Sequence, residues 1–240
     1  MADYNLTSFQ EDCQKINIDL SEEQLSQFQR YYEILTEWNS FMNLTAITDY
    51  EEVLKKHFLD SLTIVKAIDM SKVQNVIDIG TGAGFPGIPL KIAFPHLRIV
   101  LLDSLGKRVK FLNCVIDELS LTNISAIHGR AEDFARDDKY REKFDLVVSR
   151  AVANLSSLSE YCIPYTKHTG KFISYKSGKV EEELQGADRA IKVLGAKLEN
   201  VCRFSLPDIG ERSFIVLEKI IFTPKKYPRK AGVPSRDPIH

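Results

Sequence analysis

The residue types and spacings most suited to chemistry lie in the run Val76-Ile77-Asp78-Ile79-Gly80-Thr81-Gly82-Ala83-Gly84-Phe85-Pro86-Gly87. An apolar strand enters a glycine-rich turn, and Pro86 suits the first turn of a following helix. Gly80, Gly82 and Gly84 let the backbone turn sharply and let a ligand approach with no Cβ in the way, which makes a nucleotide cradle. The spacing Gly82-x-Gly84-x-x-Gly87 also satisfies the dinucleotide fingerprint, so the glycines alone do not choose the ligand. Asp78 contributes to that choice. A carboxylate two residues before Gly80 would receive a cationic amino group and repel a pyrophosphate. Asp103 stands roughly 20 residues beyond the turn, where an acid accepts the ribose hydroxyls. Together the two acids favour S-adenosylmethionine over a nicotinamide dinucleotide.

Two further positions belong to the same edge. Glu132, in Gly129-Arg130-Ala131-Glu132-Asp133, falls at the level where an adenine ring would lie, and a carboxylate or a neighbouring backbone amide there can recognise the exocyclic amine. An acid in a first helical turn is also favoured by the helix dipole alone. Arg150, in Ser149-Arg150-Ala151-Val152, ends an expected strand and so points to the reaction zone. Neither an Asn/Asp-Pro-Pro-Tyr motif nor a Pro-Cys nucleophile follows it. That pattern suits an acceptor with a ready lone pair, such as guanine N7, for which placing donor and ring and controlling charge suffice.

Such residues need a scaffold. Strands are expected over 75–79, 98–103, 124–128, 144–149 and 171–175, with helices over 87–94, 107–119, 155–165 and 180–194. This alternation implies right-handed βαβ units and a mostly parallel sheet covered on both faces. Segments 197–206 and 213–220, joined by Pro207-Asp208-Ile209-Gly210, leave no room for a crossover helix and are expected to close a seven-stranded sheet as an antiparallel hairpin. The fold class is therefore α/β, with the layout of a Rossmann-like methyltransferase. Ahead of the sheet, Ser21 and Gln24 form a capping-box pattern, and Leu25, Phe28, Tyr32 and Leu35 share one helical face. Thr48 and Glu51 suggest a second cap, followed by a stripe through Val53, Leu54, Phe58, Leu62 and Val65, and a short helix can precede both. Asn43-Leu44-Thr45 reads as the turn between the two principal helices. Trp38, Phe41 and Phe58 are read as packing residues and His57 as a structural histidine. The division expected is a helical unit over 1–70, a cofactor-binding domain over 71–222 and a basic, proline-rich tail over 223–240. Four prolines from Pro224 to Pro238 argue for an extended tail with no helix.

A length of 240 residues allows one sizeable α/β domain with an appendage, and 44% hydrophobic with 27% charged residues is a globular balance. No apolar stretch reaches the roughly 20 residues of a membrane span, and the opening residues are polar rather than signal-like, so a cytoplasmic location is expected. Cys13, Cys114, Cys162 and Cys202 are scattered and read as reduced, mostly buried thiols; no metal is expected. The net charge of −1 does not advertise a polyanion partner. Its distribution does: acids dominate the first fifty or so residues, whereas Lys225, Lys226, Arg229, Lys230 and Arg236 face only Asp237 in the tail. With no heptad and no exposed apolar stripe, a monomer is expected.

These residues resemble the RsmG (GidB) family of bacterial small-subunit rRNA guanine-N7 methyltransferases. The resemblance covers nearly the whole chain: Trp38-Asn39, Asn43-Leu44-Thr45, His57-Phe58-Leu59-Asp60-Ser61, Asp78 through Pro89, Asp103-Ser104, Lys107-Arg108, Arg130-Ala131-Glu132, Arg150-Ala151-Val152-Ala153 and Thr223 through Arg229. It implies cofactor contacts at Gly80, Phe85, Ala131, Glu132 and Arg150, and RNA-proximal positions at Lys167, Lys176, Lys225, Lys226, Arg229 and Lys230. It also implies 16S rRNA or an assembling small subunit as partner. Ala231 departs from the family's frequent proline before Gly232. A methyltransferase of a small molecule or protein, a non-catalytic ribosome-assembly module and a dehydrogenase stay open from the residues alone.

Overall fold

The structure, a computed structural model, describes residues 5–150, 153–178, 180–207 and 209–240. Ala151 and Val152 of the fourth-strand motif and Asp208 of the hairpin turn lie outside the described residues.

The β-branched runs form β1 (Asn75–Ile79), β2 (Arg98–Asp103), β3 (Ile124–His128), β4 (Phe144–Ser149), β5 (Thr166–Ser177), β6 (Ala196–Leu206) and β7 (Gly210–Lys219). They lie in one seven-stranded sheet in the order β3-β2-β1-β4-β5-β7-β6. Pairs β2–β3, β1–β2, β1–β4 and β4–β5 are parallel, and β5–β7 and β6–β7 are antiparallel. The strand order reverses between β1 and β4, which stay parallel, and a crevice opens at the carboxyl ends of strands at such a switch point. Helices α5 (Gly87–Ala93), α6 (Gly106–Glu118), α8 (Leu155–Cys162) and α9 (Glu181–Val193) fall close to the expected spans. The one expected over 155–165 tightens at its end into a 3-10 turn, Ile163–Tyr165, around Pro164, and α7 (Ala131–Phe134) is an additional single turn. β5 is longer than the sequence pattern suggested because both its neighbours extend the hydrogen-bond ladder.

Strand alternation sorts the core into two layers. Val76, Ile99, Leu101, Leu146, Val148 and Ile173 face one cluster, and Ile77, Leu102, Val147, Phe172, Ile215 and Leu217 face the other. The first cluster is shared with the N-terminal helices α1 (Thr7–Lys15) and α2 (Glu22–Met42) through Phe9, Phe28, Tyr31 and Leu35. Ser21 and Gln24 complete the capping box, and Asn43 ends α2 in a left-handed conformation. The next helix corrects the sequence reading. Its cap is Asp49, whose carboxylate accepts from Glu52 N–H, rather than Thr48. After α3 (Tyr50–Val53) the chain widens into a π-helical stretch, Leu54–Leu59, before α4 (Asp60–Leu62) and the 3-10 turn Thr63–Lys66. Phe58 is core as expected, and Trp38 is half-buried. Phe41 is not core: it is 66% exposed, with Trp38 as its ring neighbour.

The tail also departs from expectation, because it is fastened along its length. Arg141 donates from Nη2 to Thr223 O at 2.7 Å and from Nη1 to Tyr227 O at 3.0 Å. Ser157 Oγ donates to Pro234 O at 2.7 Å and Ser156 Oγ to Ile239 O at 2.8 Å. Proline removes amide donors and leaves carbonyl acceptors, so a proline-rich segment that cannot join a ladder can still be held by side-chain donors. A short helix, α10 (Val233–Arg236), forms with Pro234 in its first turn, where the missing N–H costs nothing.

Candidate active site

The glycine-rich turn is closed from below by Asp78. Its Oδ2 accepts from Thr81 Oγ1 at 2.7 Å and from Gly87 N–H at 2.9 Å, binding the turn to the start of α5. Gly87 is required by close approach: an added Cβ would lie 2.3 Å from the Leu101 side chain. Gly82 has φ +62° and only open space where a Cβ would project, so the loop offers bare backbone toward the crevice. Gly84 is instead packed against Ile88 and the Tyr31 hydroxyl. Tyr31 reaches from α2 to donate to Ala83 O, which ties the helical unit to the loop.

Beside the turn lies a cavity of about 270 Å³ lined by Gly80, Leu102, Ala131, Glu132, Tyr161 and Gly232, among others. It sits at the carboxyl ends of β1, β2 and β3. Asp103, buried at the end of β2, accepts from Gly82 N–H at 2.9 Å through Oδ2 and from Leu105 N–H at 2.9 Å through Oδ1. Glu132, at the start of α7, is buried in the wall and accepts from Gly232 N–H at 2.7 Å, so the tail supplies part of the cavity. Asp78 does not line this cavity. It is fully buried, and its Oδ1 has no hydrogen-bond partner among the described residues. Burial pushes its pKa up to about 6 against the pull of Thr81 and the Gly87 amide.

Gly80, Ala131 and Glu132 therefore meet at one cavity, whereas Arg150 lines a neighbouring one and Phe85 packs beneath Arg150. Phe85 is buried, stacked on His57 with ring centroids 4.5 Å apart, and the Arg150 guanidinium lies 4.9 Å above its ring. Arg150 Nη1 donates to Asp60 Oδ2 at 3.0 Å, and its Nη2 approaches His57 Nδ1 at 3.3 Å. An arginine can only donate, so Nδ1 accepts and the His57 proton sits on Nε2, facing Thr45 Oγ1 at 2.9 Å. Burial first, and Arg150 second, drive the His57 pKa down to about 3, which keeps the ring neutral. Asp60 also accepts from Arg212 Nε on β7 at 2.7 Å. Sequence reasoning did not single out Asp60, Arg212 or Tyr31. Asp60 stood in a quoted motif, but the π-helical stretch before it shifts which residues share a face, and no period in the sequence marks that shift.

The bases assigned to RNA are dispersed. Lys167 pairs with Asp145 near the amino-terminal edge of the sheet, away from the cradle. Lys176 donates to Ala153 O at 3.0 Å and lies 2.7 Å from Glu183. Lys225, Lys226 and Lys230 are exposed, while Arg229 grips the buried Glu160, with Nη2 2.8 Å from Oε2. Cys13 and Cys162 are buried and Cys114 and Cys202 half-buried; all four are free, and burial holds the Cys13 thiol up at about 12. Among the described residues, no group of three or more His, Cys, Asp or Glu could hold a metal ion, and no helix is long and apolar enough to cross a membrane.

The donor set fits a cationic nucleoside. Acceptors at Asp103 and Glu132 flank an apolar slot formed by Ile79, Leu102 and Leu158, and an unsatisfied carboxylate oxygen lies beneath the adjoining loop. Sheet order, crevice and carboxylates together define a protein of the Rossmann-like methyltransferase class. An O-methyltransferase from Bacillus cereus, solved with SAH, shares this fold with a TM-score of 0.58 at 17% identity, over 89% of this chain and 97% of that one. The family model described as rRNA small subunit methyltransferase G matches residues 24–214, and the chain belongs to that GidB family. Relatives named ribosomal RNA small subunit methyltransferase G include that of Lachnoclostridium phytofermentans, 56% identical over 234 residues and 97% of each chain. Another, from Desulforamulus reducens, is 51% identical over 240 residues, the whole of both chains.

Proposed function

We propose that this protein methylates N7 of a guanine in 16S rRNA, using S-adenosylmethionine, and acts on the free RNA or the assembling small subunit. Family membership supports the reaction class and the RNA substrate. The observation that carries the cofactor is the cavity lined by Gly80, Leu102, Ser104 and Glu132, with Asp103 between two of its lining residues and bound to Gly82 N–H. The bound cofactor supplies a methyl group on a sulfonium, already activated for displacement. Asp103 and Glu132 accept hydrogen bonds from the nucleoside, Gly82 leaves its approach open, and the Asp78 charge favours a cation at the loop. The Phe85–His57–Arg150 stack fixes the cationic edge of the crevice and places Arg150 to position donor or RNA. His57 is neutral and engaged on both ring nitrogens, consistent with an acceptor that needs no base: guanine N7 carries its own lone pair.

In this reading residues 1–70 cover the loop, 71–222 hold the cofactor and 223–240 complete its wall. Lys225, Lys226 and Lys230, with Lys176 at the crevice, belong to the RNA-facing side, whereas Lys167 at the opposite strand ends and Arg229 bound to Glu160 serve the structure. The protein works as a monomer in the cytoplasm, where its substrate is assembled. Transfer of tritiated methyl groups to small subunits lacking the modification, followed by nucleotide mapping, tests the proposal. Label is expected on one guanine as 7-methylguanine; normal cofactor binding with no guanine label eliminates the activity.

A further inference from the structure

A second cavity, about 410 Å³, opens at the same sheet edge on the far side of β4. Lys56, His57, Asp60, Arg150, Lys176 and Arg212 are among its lining residues, so π-helical stretch, α4, β4, β5 and β7 all contribute. β7 runs antiparallel to β5, which is why Arg212, at its beginning, reaches the carboxyl edge beside Lys176 and Ser177. The volume lies within the range of about 300–1,000 Å³ typical of small-molecule sites. Four cations line it against two carboxylates, Asp60 and Glu183, while His57 stays neutral. That surplus suits a nucleotide, whose phosphates bring negative charge.

Asp60 is the unusual member. Its side chain is 7% exposed and is held from both sides, by Arg212 Nε at 2.7 Å on Oδ1 and Arg150 Nη1 at 3.0 Å on Oδ2. A carboxylate accepts about four hydrogen bonds, so each oxygen retains capacity toward the cavity. A fixed carboxylate discriminates among bases. Guanine presents two donors side by side on its Watson–Crick edge, N1–H and the exocyclic amine, whereas adenine places an acceptor at N1 and is repelled. Enzymes that modify a base take it out of the stack into such a pocket and read this edge. A purine held by its Watson–Crick edge leaves N7, on the opposite edge, free.

We infer that this second cavity receives the target guanosine, with Asp60 as the specificity residue that pairs with guanine N1–H and the exocyclic amine. Arg212 is a positioning residue that fixes Asp60. The inference rests on the guanine-N7 reading above and adds to it the residue that selects the base.

The test compares methyl transfer to unmodified 16S rRNA in small subunits with transfer to the same RNA carrying inosine at the acceptor position. Inosine keeps N1–H and lacks the exocyclic amine. Wild-type protein should lose about 10- to 100-fold in kcat/KM on inosine, the value of one hydrogen bond to a charged group. Asp60→Asn should lose about 100-fold or more on guanosine RNA and bring the two substrates within about twofold of each other, with calorimetric affinity for S-adenosylhomocysteine held within about threefold. Asp60→Glu should recover part of the discrimination. Equal wild-type rates on both RNAs overturn the inference without any variant, so a failure of Asp60→Asn to fold leaves it decidable; undiminished discrimination by a folded Asp60→Asn overturns it too. If wild-type protein labels no guanine, the guanine-N7 reading falls and takes this one with it; label on guanine without discrimination removes the pocket assignment alone.

Discussion

Asp78 and His57 both lie under the crevice and both are displaced from their ordinary protonation, in ways that oppose each other with pH. The Asp78 pKa of about 6 in the fold lies above its unfolded value of 3.8. The stability it contributes is present below pH 3.8 and lost as pH rises through 6, so its ionised form costs the cofactor-free protein about 3 kcal/mol. Asp78→Asn keeps an acceptor for Thr81 and Gly87 and removes the charge. Denaturation at pH 8 should show the variant as stable as wild type or more so. Its calorimetric affinity for S-adenosylmethionine should be weaker and no longer rise between pH 5 and 7; an unchanged pH profile would argue against a charge role. His57 has the other sign. Its pKa of about 3 lies below the ordinary value of 6.5, so stability is full above pH 6.5 and falls as pH drops toward 3. Urea titrations across that window should show a slope of up to about 1.4 kcal/mol per pH unit, absent in His57→Asn.

Among the elements, the tail has the least expected role. It carries Gly232 to Glu132 and Ser235 to the cavity wall, and Arg229 anchors it to Glu160, whose side chain is 1% exposed. Removing one partner of a buried pair strands a charge. Arg229→Ala should therefore cost about 3 kcal/mol in chemical denaturation. The same variant should weaken cofactor binding, because the wall it holds loosens; full affinity alongside lost stability would separate the strap from the site. The π-helical stretch is the second element with a clear consequence. It brings His57 and Asp60 to the two terminal nitrogens of Arg150, a meeting that joins the helical unit to β4 and β7 in one network.

At the scale of the whole molecule, charge is segregated rather than large. Net charge is −1, yet Lys225 shares a concave surface with Arg136, Arg141 and Lys143, against Asp138 and Glu142, around Phe222, which is 70% exposed. An aromatic ring among bases suits single-stranded RNA. Replacing Lys225, Lys226 and Lys230 together with Gln should weaken RNA binding uniformly across sequences and reduce the slope of log affinity against log salt by about 2. Cofactor affinity should not change, since none of the three lines the cavity beside the glycine-rich turn; a slope equal to wild type would remove these lysines from the interface.

The alternation of β-branched runs with helical segments was enough to give the parallel sheet and its antiparallel end, because strand and helix periods are local properties of the chain and the connection lengths exclude other topologies. The positions of the glycine-rich turn and of Asp78, Asp103 and Glu132 were legible for the same reason: Asp78 and Asp103 lie at the carboxyl ends of β1 and β2, Glu132 follows β3, and strand ends converge at a switch point. What the local pattern could not carry was contact between distant segments. The meeting of Asp60 with Arg150 and Arg212 spans 90 and 152 residues and depends on a π-helical stretch that no sequence period announces. The fastening of the tail depends on donors from Arg141, Ser156 and Ser157 reaching carbonyls that proline-rich sequence exposes. Spacing determined which residues stand at the strand ends; only the packing of helical unit and tail against the sheet decided which residues line the crevice and face each other there.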